Sequence, residues 1–111
     1  MSLAIEKSPY FRADVAKQFE WYFDEAGEAL AWRFFKMVDL TLLKLSNRPD
    51  VRRIRHFRNP ALHELRSFRT EPPFDRLLIF YRHNSTEVIA ERLIHGARDL
   101  PRRLVEPPGQ E

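Results

Sequence analysis

Residues 74–104 read FDRLLIFYRHNSTEVIAERLIHGARDLPRRL and contain two predicted strands followed by a basic exit. The five apolar residues 77–81 predict a central strand that is buried on both faces. Asn84-Ser85 supplies turn chemistry, and residues 87–94 predict a second strand that returns beside the first and is ended by Gly96. Because two strands alone are not stable in water, the rest of the chain must cover this hairpin.

Two helices are predicted before the hairpin. Ser8-Pro9 is a typical helix start, since a hydroxyl cap precedes proline, and Gly27 is placed to end that helix. A second helix is predicted from Glu28 to about Ser46, with Arg48-Pro49 closing it.

The remaining segments complete the predicted fold. A weak alternation at residues 3–7 predicts a short edge strand, residues 50–62 predict a loop, and residues 63–69 predict a strand before the central one. This order predicts an α+β domain in which the helical hairpin packs on one face of a three- to four-stranded antiparallel sheet. We expect the opposite face to present arginine side chains.

The length and composition limit the classes of protein to consider. A chain of 111 residues has room for one small domain, which we place at residues 1–104, with a flexible tail at 105–111. The chain has no cysteine, which excludes disulfides and thiol nucleophiles. No apolar run reaches membrane-spanning length and no signal peptide is recognisable, so we expect a cytoplasmic protein.

Positive charge is concentrated in the second half of the chain. Residues 1–47 carry six Lys/Arg against seven Asp/Glu, whereas residues 48–104 carry thirteen against seven, a net charge of +6. All thirteen of these cations are arginines, whose planar guanidinium suits phosphate and carboxylate partners. A basic face that is merely solvated is the alternative.

The helices carry more apolar side chains than one core stripe needs. Trp21 on the first helix, and Trp32, Phe35 and Leu42 on the second, lie largely off the predicted core-facing stripes. They either widen the buried stripe or form a groove for a partner helix.

The predicted strands and the basic segment after them resemble a known protein family. The strings LLIFYR (77–82) and RLIHGARDLPRRL (92–104) resemble the C-terminal half of the RelE/ParE superfamily, the toxins of type II toxin–antitoxin systems, often described as plasmid-stabilisation proteins. HGARDLP (95–101) and LRSF (65–68) resemble the ParE branch in particular. The resemblance covers residues 3–104 and implies an antitoxin that wraps the toxin, for which Trp21, Trp32, Phe35 and Leu42 are the candidate contacts.

The ParE branch implies a toxin that binds and inhibits DNA gyrase without cleaving a substrate. The candidate target contacts are six arginines, namely Arg66, Arg69, Arg76, Arg98, Arg102 and Arg103. Two features depart from this branch: the longer loop at 71–73, and Glu91 at a strand position that is commonly apolar. A degenerate, non-toxic member that only binds its antitoxin is a further alternative, and a homodimer is expected where no antitoxin covers the groove.

The RelE branch implies a ribosome-dependent messenger-RNA endonuclease, which needs a group that can transfer a proton. Arg76, Arg98 and His95 are the candidate catalytic residues for this alternative. The lysine pair of that branch is replaced by Arg66, Ser67 and Arg69, and its C-terminal tyrosine by Leu104. Since arginine stays protonated, the set of catalytic groups is incomplete without a histidine.

The sequence predicts neither a metal site nor a bound cofactor. The four histidines show no paired spacing on a helix, and the three glycines form no phosphate-binding loop.

Overall fold

The computed structural model of the chain describes residues 2–96 and 100–108. In chain order the elements are β1 (Ala4–Lys7), α1 (Pro9–Ala26), α2 (Glu28–Asn47), a short 3-10 helix (Pro60–Leu62), β2 (Arg66–Arg69), β3 (Leu77–His83), β4 (Glu87–His95) and α3 (Leu100–Val105). No helix in this part of the chain is both long and apolar enough to cross a membrane.

The ends of the helical hairpin are set by local chemistry, as predicted. Ser8 Oγ accepts a hydrogen bond from the Phe11 backbone N–H at 3.0 Å, which satisfies one of the free donors at the start of α1. Gly27 ends α1 with a φ of 97°, a conformation that favours glycine, and α2 begins at the next residue. Arg48 and Pro49 follow the last residue of α2.

The four strands form one sheet in the order β1-β4-β3-β2. β2 and β3, and β3 and β4, pair antiparallel, but β1 lies parallel to β4. The α+β fold is therefore confirmed, with a mixed sheet in place of the antiparallel one expected. The long connection through both helices makes the parallel pairing possible, since parallel neighbours cannot be joined by a short turn.

The main core lies between the helices and one face of the sheet. Phe34 and Val38 of α2 belong to the same buried cluster there as Ile79 and Tyr81 of β3. Leu42 belongs to the same cluster with 1% of its surface exposed, so the prediction that it contacts an antitoxin is wrong. α2 packs against both α1 and the sheet, and its buried stripe is consequently wider than a single core face requires.

A second, smaller core covers the opposite face of the sheet. Its buried members are Leu62, Leu65, Phe80, Ile94, Leu100 and Leu104. The 3-10 helix and α3 cover much of this face with apolar side chains where we expected arginines, although the register still places Arg69 beside Leu78 on it. The apolar residues around the 3-10 helix are scattered among charged ones, which hid their burial from a periodicity argument.

The loop predicted at residues 50–62 is present, apart from the 3-10 helix and an isolated bridge between Ile54 and Arg66. The strand predicted from residue 63 begins at Arg66. Val105 ends α3 and Glu106 is held by Arg92, so the start of the predicted tail is anchored. Residues 109–111 lie outside the described part of the chain.

Candidate functional site

A groove of about 370 Å³ separates part of α1 from α2. Four aromatic side chains line it, Phe11, Phe19, Trp32 and Phe35; the ring centroids of Phe19 and Trp32 are 4.9 Å apart, and those of Trp32 and Phe35 are 5.9 Å apart. Trp32 is 52% exposed although it stands in a cluster of rings. An exposed aromatic cluster in a concave surface is typical of a binding site for an apolar side chain.

Charged side chains mark one end of this groove. Lys7 Nζ lies 3.2 Å from Asp39 Oδ1, and Arg12 Nε donates to the Lys7 carbonyl at 3.3 Å. All three residues line the groove. The groove therefore has an apolar floor and a polar end with two cations and one carboxylate, which suits an amphipathic segment that carries acidic residues.

Two of the four residues predicted for antitoxin binding, Trp32 and Phe35, meet in the groove. Trp21 does not line it; its ring packs edge-on against Tyr22 at 5.3 Å, and it is 55% exposed. Sequence reasoning grouped these residues because they are apolar and off the core stripe. Phe19, which also lines the groove, was not among the predicted contacts.

Several of the candidate target contacts converge at one end of the sheet. Arg69 at the end of β2 pairs with Leu78, and Arg76 directly precedes Leu77, which pairs with His95. Arg103 on α3 donates from Nη1 to the His95 carbonyl. The register and this hydrogen bond thus bring three arginines and an exposed histidine to the same end of the strands.

The remaining target candidates lie elsewhere. Arg66 is at the other end of β2, where it pairs with Tyr81 and donates from Nη1 to the Arg52 carbonyl. Arg102 is paired with Glu106 at 2.6 Å, one turn further along the chain. Arg98 lies outside the described residues.

The catalytic set of the endonuclease alternative is only partly assembled. Arg76 and His95 lie at the same end of the sheet, and Arg98 lies outside the described residues. A further histidine, His83, lies at the opposite end of β3, where it pairs with Val88. A separate cleft of about 310 Å³ is lined by Glu64, Arg66, Arg82 and His83, among others. In it Arg82 is already held by Glu91 at 2.8 Å and by the carbonyls of Ala61 and His63.

Within residues 2–96 and 100–108, no three His, Asp or Glu side chains are grouped as metal ligands would be. Two tyrosines have raised pKa values. Burial raises the pKa of Tyr81, although the nearby Arg66 guanidinium acts in the opposite direction, and burial likewise raises the pKa of Tyr22. Neither tyrosine belongs to the sheet end or to the groove.

Sequence reasoning also missed a buried ion pair. Arg92 Nε donates to Asp14 Oδ2 at 2.8 Å, and both side chains are about 6% exposed. The two residues are 78 positions apart, and neither sits in a motif, so no sequence signal joined them.

Comparison with known proteins identifies the family. The family model for the ParE toxin of the type II toxin–antitoxin system parDE matches residues 5–100. A solved structure described as the chromosomal ParDE toxin–antitoxin system from P. aeruginosa is similar in fold, with a TM-score of 0.69 and 14% identity, over 86% of this chain and 98% of that chain. No curated protein matches the chain. Since the family model spans nearly the whole sequence, the chain belongs to the ParE toxin family of type II toxin–antitoxin systems.

Proposed function

We propose that the chain is a toxin that inhibits DNA gyrase by binding it, acts in the cytoplasm, and is neutralised by a cognate antitoxin. The proposal that the chain binds a large target is supported by the position of Arg69, Arg76 and Arg103 at one end of the sheet. Arginines stay charged at every physiological pH, so this surface is suited to holding anionic groups of a large partner and unsuited to moving protons. Gyrase as the partner rests on the ParE family.

The antitoxin side of the proposal rests on the α1–α2 groove. We assign it to an amphipathic antitoxin segment whose apolar side chains cover Phe19, Trp32 and Phe35 and whose acidic side chains meet Lys7 and Arg12. The apolar floor supplies most of the binding free energy, because rings that are partly exposed lose their water contact on binding. The charged end supplies the orientation.

Without antitoxin the same rings remain in water. A second copy of the chain is then the competing occupant, and the resulting homodimer should dissociate when antitoxin is added. Light scattering after size exclusion tests this: a concentration-dependent dimer that becomes a toxin–antitoxin complex is expected, and a strict monomer at high concentration would exclude self-association through the groove.

The test of the target is a supercoiling assay with purified gyrase and purified toxin. We expect inhibition that increases with toxin concentration and is reversed by an equimolar amount of antitoxin. Induced expression should arrest growth with DNA damage that depends on gyrase. Unchanged supercoiling combined with cleavage of translated messages would instead establish the ribosomal endonuclease, and normal growth with intact antitoxin binding would establish a non-toxic member.

The endonuclease alternative has its own structural test in the cleft beside β3. This cleft combines a carboxylate and an imidazole, Glu64 and His83, with Arg66 and Arg82. Proton transfer at neutral pH would use those first two groups. We expect Glu64→Gln and His83→Gln to leave toxicity unchanged, and loss of toxicity in both variants, with normal folding, would favour cleavage over binding.

A further inference from the structure

Arg92 is buried at the junction of three elements. It lies on β4, is 5% exposed, and uses all three nitrogens of its guanidinium. Nε and Nη2 donate to the two carboxylate oxygens of Asp14 on α1, at 2.8 and 3.0 Å. Nη1 donates to the backbone carbonyls of Arg103, Leu104 and Glu106, at 3.0, 3.0 and 2.6 Å.

The burial of these charges is fully compensated. Asp14 Oδ2 also accepts the backbone N–H of Leu93 at 2.9 Å, and the Arg92 guanidinium stands 5.3 Å from the centre of the Tyr10 ring. No buried side-chain nitrogen or oxygen among the described residues lacks a hydrogen-bond partner. A buried ion pair seldom adds net stability over an apolar pair of the same size, so its geometry is the property to explain.

The hydrogen bonds of the Arg92 Nη1 atom hold the C-terminal end of α3. A helix of six residues is too short to be stable alone, and the carbonyls of its last turn have no partner within the helix. Arg92 supplies donors and a positive charge at this C-terminal end, where both are favourable. Leu100 and Leu104 hold the helix by its apolar side in the second core.

The segment fixed in this way carries Arg103, one of the three arginines proposed to meet the target, and Arg102, a further predicted contact that is paired with Glu106. Arg102 and Arg103 are the central residues of α3, and Arg103 reaches the end of β4 through the His95 carbonyl. The orientation of both side chains therefore depends on where the last turn of α3 is held. Lysine in place of Arg92 would keep the charge but not the planar fork that contacts Asp14 and the carbonyls together.

We propose that Asp14 and Arg92 are a positioning pair that fixes α3 so that Arg102 and Arg103 are presented to the target. This inference rests on the proposed function and deepens it, because it names residues that act on the target without touching it. It distinguishes Arg92 from the contacting arginines, since Arg92 is buried and its donors are occupied.

The first test is hydrogen exchange on Arg92→Lys and on Asp14→Asn, compared with the unaltered protein. We expect the amides of α3 to lose protection by about tenfold or more, while the amides of α2 keep theirs. Unchanged protection in α3 in both variants would overturn the proposal. If Arg92→Lys does not fold, Asp14→Asn, which retains the shape of the side chain, supplies the comparison.

The second test separates positioning from general stability. Arg92→Lys should raise the concentration that half-inhibits gyrase by about tenfold, and should leave the affinity for antitoxin within about twofold, because the groove lies between α1 and α2. In a background that already carries Arg102→Ala and Arg103→Ala, Arg92→Lys should have no further effect. An equal effect in both backgrounds would show that Arg92 acts independently of the α3 arginines, against the proposal.

Failure of the target assignment is distinguishable from failure of this inference. If the unaltered protein arrests growth but does not inhibit gyrase, the same comparison of backgrounds is made with growth arrest as the readout. If it does neither, the hydrogen-exchange comparison still decides whether the pair fixes α3.

Discussion

Replacing Trp32 by alanine removes the largest ring in the α1–α2 groove. A buried tryptophan covers roughly 150–250 Å², and 52% of Trp32 is exposed, so about 100 Å² of it remains for an antitoxin to cover. At about 25 cal/mol per Å² this area is worth about 2.5 kcal/mol of binding free energy. The affinity for antitoxin should therefore fall by about 50- to 100-fold.

Trp21 offers a matched control. It has the same side chain and nearly the same exposure, 55%, but it does not line the groove. Trp21→Ala and Trp32→Ala should each destabilise the fold by about 1–2 kcal/mol. Because this effect is the same for both variants, any difference in their affinity for antitoxin is attributable to the groove. Isothermal titration of both variants with the cognate antitoxin is the measurement, and we expect less than about a twofold change for Trp21→Ala.

Two outcomes of this comparison would contradict the assignment of the groove to the antitoxin. Equal weakening by both substitutions would mean that the loss of affinity is not specific to the groove. No weakening by either would mean that the apolar surface of the helices is not where the antitoxin binds.

Three further predictions concern the fold. Tyr81 is buried, its hydroxyl donates to the Pro49 carbonyl at 2.9 Å, and burial raises its pKa above the ordinary value of 10.0. The contribution of the Tyr81 hydroxyl to stability is thus complete below pH 10.0 and is lost as the pH rises through the folded-state pKa. Urea titrations should show that the free energy of unfolding declines in alkali, and that this decline is smaller in Tyr81→Phe. The same substitution should cost about 1 kcal/mol at neutral pH. Leu42→Ala should cost about 2–5 kcal/mol of unfolding free energy, because it leaves a cavity in the main core; a loss below about 0.5 kcal/mol would contradict its burial. Gly27→Ala should cost about 1–2 kcal/mol, since a φ of 97° strains any residue with a Cβ, and a gain in melting temperature would argue against that backbone conformation.

The helical hairpin was the most predictable part of the fold. Ser8-Pro9 and Gly27 act through neighbouring backbone groups, so their effect is contained in a few consecutive residues. The strands β3 and β4 were predictable for a similar reason, because a buried run and a short turn are local signals. These elements were confirmed with boundaries within one or two residues.

Long-range pairing could not be predicted in the same way. The parallel register of Ala4 with Glu87 joins the two ends of the chain, and no local pattern distinguishes a parallel edge from an antiparallel one. The short helix α3 was read as a basic exit because six residues give too little periodicity to recognise.

The sequence predicted which types of residue form the candidate site better than it predicted how those residues are arranged. The excess of apolar residues on the helices signalled a surface, but the sequence did not show that Leu42 is buried or that Trp21 stands apart from Trp32. The ion pair between Asp14 and Arg92 was hidden, since each side chain resembles an ordinary solvated charge until the fold joins them.

The central claim is that permanent positive charge, and not proton transfer, gives the sheet end its activity. The most direct test is to measure gyrase inhibition by three variants. They are the double variant Arg69→Glu/Arg76→Glu, the single variant His95→Gln, and Arg33→Glu, which changes an exposed charge on α2 and is the matched control. We expect inhibition to be lost in the double variant and retained in the other two. Loss of inhibition in His95→Gln with full activity in the double arginine variant would contradict the account.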